Sequence, residues 1–288
     1  MKISVIDVGS NSVRLALFAG GKTLYKRLET TRLGKGLSLD GKLTQDAIER
    51  TARAVCNFVR VSKEDGAEKT CVFATEAVRS AVNGADFVER VYALCGARVD
   101  VLSGEEEAKC GILGAIGTSD GAIIDVGGAS TEVTVQKNLE TLYSKSVKIG
   151  TVRLHDLAGR DKTKLEKVIA EEVEKYGNFS AKGFNVYAIG GTATTLASVK
   201  HKLKVYDPAI TNGTVLTQAE VKTLADELLG LTVEEVRSLD GMETGRADVI
   251  GGGCLLLYSI MQGFEIEKIT VSESDNLEGY LALKGELK

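Results

Sequence analysis

Ile6-Asp7-Val8-Gly9-Ser10-Asn11-Ser12 recurs as Ile124-Asp125-Val126-Gly127-Gly128-Ala129-Ser130, with five of the seven positions identical. In both copies an apolar run (Ile3 to Ile6; Ala122 to Ile124) leads into an aspartate, a glycine-containing turn and hydroxyl side chains. A second alternating run follows, Val13 to Phe18 in one copy and Glu132 to Val135 in the other. Period-two alternation marks a half-buried strand, so each copy reads as a β-hairpin with a polar tip that tolerates unusual backbone angles.

Outward from these hairpins the pattern alternates between helix and strand. A helix is expected over 44–63, with Thr44 as its cap and Ile48, Ala52, Val55 and Val59 on one face. A strand over 69–75, a helix over 85–94, a strand over 97–102 and a helix over 105–117 then lead to the second hairpin. Beyond it, helices are expected at 162–176, 218–229 and 233–239, and a strand at 185–189 that ends in Gly190-Gly191-Thr192. Gly251-Gly252-Gly253 opens a helix through 261, and a strand at 268–271 precedes a short terminal helix. Two hairpin starts, each followed by αβ units, predict two α/β domains with mixed sheets, 1–118 and 119–288, facing each other across a cleft. Pro208 is the single proline and no Ser/Pro-rich linker occurs, which predicts a tight junction.

Composition narrows the function. The chain is 43% hydrophobic and 26% charged, as expected of a globular protein, and its net charge of -4 does not suit a broadly basic DNA-binding surface. An anionic ligand must therefore be met locally. Five cysteines without a CxxC pair do not suggest a disulfide framework, and two histidines are too few for a histidine-rich metal cluster; the His155-Asp156 pair is read as coincidence. With neither a signal-peptide pattern nor an apolar run of the ~18 residues a membrane span needs, a cytoplasmic protein without membrane partners is expected. A homodimer is the default assembly on the frequency of twofold symmetry.

The hairpin tips carry the chemistry. Gly9, Ser10, Asn11 and Ser12, and again Gly127, Gly128, Ser130 and Thr131, are small enough for backbone N–H groups to close around phosphate oxygens. One such turn is weak evidence, whereas a duplicated Asp-Gly turn at strand ends points to phosphate binding. Asp7, Asp125 and Glu132 offer hard oxygen donors for Mg²⁺, or alternatively Mn²⁺, although an aspartate in a turn also serves simply to accept N–H bonds. Ser103-Gly104-Glu105-Glu106-Glu107-Ala108 reads as a helix start, with Ser103 as cap and acids at the positive dipole end. Glu107, the last acid before the second hairpin, could also orient a water for in-line attack on phosphorus. Arg79 and Arg246, beside strand ends and glycine turns, match phosphate oxygens in geometry, although most arginines are solvated surface residues.

Six ordered motifs stand in the chain: Asp7-Val8-Gly9-Ser10-Asn11-Ser12 with Arg14, Arg32-Leu33-Gly34, Ala74-Thr75-Glu76-Ala77-Val78-Arg79, Ser103 to Ala108, Asp125 to Glu132, and Ile189-Gly190-Gly191-Thr192. Together they resemble the exopolyphosphatase / guanosine pentaphosphate phosphohydrolase family, within the acetate kinase, sugar kinase, heat-shock ATPase and actin superfamily. The resemblance implies ribonuclease-H-like domains and metal-dependent hydrolysis of terminal phosphoryl groups from polyphosphate or guanosine pentaphosphate. It implies Glu107 as catalytic base, Arg79 and Arg246 in the active cleft, and Asp125 with Glu132 at the metal and phosphate site. Arg32 and the Gly190-Gly191-Thr192 loop are implied on the phosphate side. A superfamily kinase using ATP and a non-catalytic polyphosphate or alarmone sensor are the alternatives.

Three departures bear on scope. Leu277 precedes Glu278-Gly279 where related chains often carry arginine, and Asn212-Gly213 follows Tyr206-Asp207 where many have His-Gly. Longer members continue into a further helical region, whereas this sequence stops at Lys288. Short chains or a nucleotide are therefore expected over processive degradation of a long polymer.

Overall fold

The first hairpin forms β1 (Lys2–Val8) and β2 (Ser12–Ala19), continued by β3 (Lys22–Thr30). Then come α1 (Leu37–Asp40), α2 (Gln45–Glu64), β4 (Lys69–Ala74), α3 (Glu76–Ser80), α4 (Gly84–Cys95), β5 (Val99–Val101) and α5 (Gly104–Ala115). The five strands make one mixed sheet in the order β3-β2-β1-β4-β5, antiparallel from β1 to β3 and parallel from β1 to β5. Ile6, Val8, Val13 and Leu15 pack with Ile48, Val55 and Phe87 of α2 and α4, while Ile3, Val5, Ala16 and Phe18 fall in a separate cluster with Cys110 of α5. Successive strand residues thus serve opposite faces, and both faces of the sheet are covered.

The second hairpin opens the same plan again, with β6 (Gly121–Val126), β7 (Thr131–Lys137) and β8 (Glu140–Val147). It continues through α6 (Thr151–Ala158), α7 (Lys162–Val173), β9 (Val186–Ile189), α8 (Gly190–Lys200), α9 (Pro208–Thr211), β10 (Val215–Thr217), α10 (Gln218–Gly230) and α11 (Val233–Arg237). A 3₁₀ turn (Thr244–Arg246), α12 (Ile250–Gly263) and β11 (Lys268–Val271) complete it. The sheet order is β10-β11-β9-β6-β7-β8, with β6, β9 and β11 parallel. Strands β8-β7-β6-β9-β11 repeat the order of the first sheet, the ribonuclease-H-like arrangement.

The computed structural model describes residues 1–286. They divide into two units, Met1–Gly114 with the stretch that begins at Asn276, and Ala115–Asp275. The expected division at 118/119 is therefore corrected at the C-terminus. Helix α13 (Asn276–Leu283) returns to the first unit, where Leu277, Tyr280 and Leu281 join the cluster of Ile3, Val5, Phe73 and Leu102. Tyr280 stacks on Phe73 with ring centroids 4.8 Å apart. Leu277 is wholly buried in this core, so at this position the chain uses an apolar anchor. Gly279 follows from the same packing, since a Cβ there would run into the Cys110 carbonyl of α5. The Gly251-Gly252-Gly253 run is likewise a packing device, buried in the first turn of α12 against Leu229, Leu154, Leu165 and Thr151. Among the described residues no helix is long and apolar enough to cross a membrane.

Candidate active site

In the first unit, Asp7 and Arg14 are register partners across β1 and β2, which places their side chains on one face. Arg14 donates from Nε (3.0 Å) and Nη2 (2.5 Å) to Oδ2 of Asp7. Between them Gly9 N donates to the Ser12 carbonyl at 3.0 Å and closes the tip. Arg32-Leu33-Gly34 straps this loop: Arg32 N donates to the Asn11 carbonyl (2.7 Å) and Gly34 N to the Ser10 carbonyl (2.8 Å). Ser10, Asn11 and Ser12 are buried, and both amide atoms of Asn11 lack a hydrogen bond within the protein. Buried polar atoms of this kind normally have a partner, and of the two only the Nδ2 donor suits a ligand oxygen.

Glu107 lies in the first turn of α5 and is 6% exposed. Arg79 of α3 donates from Nη1 to its Oε2 at 3.0 Å and to the Leu102 carbonyl at 2.5 Å. The same guanidinium reaches Oε2 of Glu76 from Nε (3.1 Å) and Nη2 (2.6 Å). Burial alone would lower the Arg79 pKa, but Glu107 and Glu76 outweigh it and raise it, so the arginine stays charged. Glu106 closes a capping box: its carboxylate accepts from Ser103 N at 2.8 Å, and its own N donates to Ser103 Oγ at 3.2 Å. The three acids of the run therefore differ in role, Glu106 securing the helix start while Glu107 points into the protein. Cys110, one turn on, has its thiol pushed up to about 12 by burial and then by Glu107, which removes it as a nucleophile near neutrality.

In the second unit the partner opposite the aspartate changes sign. Asp125 pairs in register with Glu132 across β6 and β7, and Ser146 Oγ donates to Glu132 Oε1 at 2.6 Å. Gly127 N donates to the Ser130 carbonyl at 3.1 Å, repeating the first tip, while Thr151 N and Val152 N donate to the Gly127 and Gly128 carbonyls. The hydroxyls of Thr131 and Thr192 differ from expectation. Each donates to a carbonyl, of Ile149 (2.6 Å) and Val126 (2.8 Å), so they hold the loop in place and have no proton left to offer a phosphate.

Gly190-Gly191-Thr192 is not a loose loop but the first turn of α8. Gly190 has φ 77°, and a Cβ there would stand 2.5 Å from Asp125 Oδ1. At Gly191 a Cβ would fall inside the Arg246 guanidinium. The two glycines thus bring a carboxylate, an arginine and a helix N-terminus together, an arrangement suited to phosphate. Arg246 is buried and its Nε meets Glu243 Oε2 at 2.7 Å. Arg160, which the sequence did not single out, fixes this segment by donating to the Ala247 carbonyl (2.9 Å) and to those of Leu228 and Leu231 (2.6 Å each).

Among the described residues no three His, Cys, Asp or Glu side chains form a metal cluster. Asp125 and Glu132 nevertheless fit Mg²⁺, which takes one or two carboxylates and completes its shell with water and substrate phosphate. Asp7 fits less well, because Arg14 already occupies its Oδ2.

A Ppx/GppA phosphatase family model matches residues 16–284. Exopolyphosphatase 2 of Mycobacterium tuberculosis is 30% identical over 316 residues, covering 99% of each chain. A bifunctional 3-dehydroquinate synthase/phosphatase of Fusobacterium nucleatum is 30% identical over 304 residues and matches 95% of this chain, which spans only 45% of that protein. The crystal structure of the Aquifex aeolicus Ppx/GppA family member superposes with a TM-score of 0.78 at 29% identity, covering 99% of this chain and 97% of that one. The chain thus belongs to the Ppx/GppA phosphatase family.

Proposed function

We propose that this protein is a metal-dependent phosphoanhydride hydrolase that removes terminal phosphoryl groups from short polyphosphate or guanosine pentaphosphate. The observation that carries this reading is the buried Glu107 carboxylate, held by Arg79 in the first turn of α5. Glu107 orients a water and accepts its proton as the water attacks the terminal phosphorus. Arg79 acts as a positioning residue, since its guanidinium is engaged by Glu76, Glu107 and the Leu102 carbonyl.

The phosphate-binding groups are the loop Gly9 to Ser12 with Arg32, the loop Gly127, Gly128 and Ser130, and the α8 N-terminus at Gly190 and Gly191. Arg246 beside Gly191 stabilises charge on the transferring group. Asp125 and Glu132 would hold Mg²⁺, or Mn²⁺, which neutralises phosphate charge when bound. The setting is cytoplasmic, and a homodimer is the working assembly.

Phosphate release from polyphosphates of graded length and from guanosine pentaphosphate, with no acceptor present, tests this reading. Release from at least one of them supports hydrolysis. A strict requirement for an added acceptor, with ATP as donor, would overturn it in favour of a kinase.

A further inference from the structure

The carboxyl ends of β6, β9 and β11 lie side by side, because β6 pairs in parallel with β9 and β9 with β11. The first two ends carry Asp125 and Gly190 of the candidate site. The third carries Ser272, whose N donates to the Ala188 carbonyl at 3.0 Å, and then Glu273. Ligands of open α/β sheets collect at such carboxyl ends. At strand spacings of about 4.8 Å, the end of β11 is about 10 Å from that of β6.

A polar cluster at this third end holds one aromatic side chain. The hydroxyls of Tyr206 and Thr211 both donate to Glu273 Oε1, and Glu273 N donates to Asn212 Oδ1 at 3.1 Å. Asn212 is thus part of the brace. Burial, and then Glu273, push the Tyr206 pKa well up, so the phenol stays neutral.

The residue is nonetheless half exposed. Tyr206 is 50% exposed although its hydroxyl is tied down, and its neighbours Val205 and Ile210 are 81% and 43% exposed. An aromatic side chain fixed at its tip and half exposed loses little entropy when something stacks on it. A bare polyphosphate chain presents only anionic oxygens and has no use for an apolar surface. A nucleotide with its phosphates at Gly190 and Gly191 must place its nucleoside beyond them.

We propose that Tyr206, with the exposed Val205 next to it in the chain, is a stacking platform for the base of a nucleoside polyphosphate whose phosphates occupy the α8 N-terminus. The inference rests on the reading under Proposed function and narrows its substrate class from polyphosphates in general to nucleoside polyphosphates.

Two measurements test it. The first is calorimetric titration of guanosine pentaphosphate and of tripolyphosphate in a Glu107→Gln background, which preserves the ligands. The second is phosphate release from both by the otherwise wild-type enzyme. Tyr206→Ala is expected to weaken guanosine pentaphosphate binding, and raise its KM, by about tenfold, within the range of base–aromatic stacking, while tripolyphosphate is unchanged. Tyr206→Phe, which keeps the ring, should stay near wild type for the nucleotide, and Val205→Asp at its exposed position should weaken the nucleotide selectively without disturbing the fold. Equal effects on both ligands, or no effect on the nucleotide, would overturn the platform. That failure is distinct from failure of the hydrolase reading, which is the absence of phosphate release from either substrate by the wild-type protein.

Discussion

Nη1 of Arg79 lies 3.0 Å from Oε2 of Glu107 while Nη2 lies 2.6 Å from Oε2 of Glu76, so one half-buried arginine holds two buried carboxylates. Removing it leaves both charges buried without their shared counterion. Arg79→Ala is expected to cost on the order of 3 kcal/mol of stability, read as a lower urea midpoint. Arg79→Lys keeps the charge but not the fork, and should fall between the two in stability while losing phosphate release.

Gly190 and Gly191 should separate two effects. Gly190→Ala forces an L-residue into the left-handed region, at a cost of roughly 1–2 kcal/mol, and presses on Asp125. Gly191→Ala keeps the backbone but displaces the Arg246 guanidinium, so it should reduce phosphate release more than it reduces the melting temperature. Circular-dichroism melts beside steady-state kinetics would show this, and a Gly191→Ala enzyme of full activity would place Arg246 outside the reaction.

Chelation is expected to abolish phosphate release, and added Mg²⁺ to restore it. Asp125→Asn and Glu132→Gln should each raise the Mg²⁺ concentration needed for half-maximal activity by about tenfold or more, since each removes a hard oxygen donor. Asp7→Asn, whose carboxylate is engaged by Arg14, should leave that concentration closer to wild type.

The start of α5 carries a pH signature. Hydrogen bonds from Ser103 lower the Glu106 pKa, so this carboxylate stabilises the fold above its unfolded pKa and loses that contribution as the pH falls through the folded value. Ser103→Ala should cost about 1 kcal/mol near neutrality. The difference between the two proteins' melting temperatures should shrink as the pH drops below the ordinary carboxylate range.

Much of this was legible from the chain because the informative features were local. The repeat at Asp7 and Asp125 located both hairpins, and apolar periodicity placed α2, β4, α4 and α12 within a few residues. What escaped depends on partners distant in sequence. Nothing in the sequence near Leu277 announces that α13 packs on Ile3 and Phe73, so position in the chain alone places this helix with the second unit. Gly190-Gly191 reads as a loop in the sequence, because only the proximity of Asp125 and Arg246 shows why a helix begins on two glycines. Arg14 was legible as a motif residue, but its part as the cationic counterpart of Glu132 emerges only from strand register. Arg160 and Glu273 carried no local signal, since their roles consist of bonds to segments more than 60 residues away.

The account turns on Glu107 as the group that activates water. Phosphate release by Glu107→Gln, measured on short polyphosphate and on guanosine pentaphosphate beside wild type at equal folded concentration, addresses that most directly. The expected result is a loss of about 10²- to 10⁴-fold in kcat, with the melting temperature and ligand affinity largely kept. Release at the wild-type rate would contradict the assignment and move the base elsewhere.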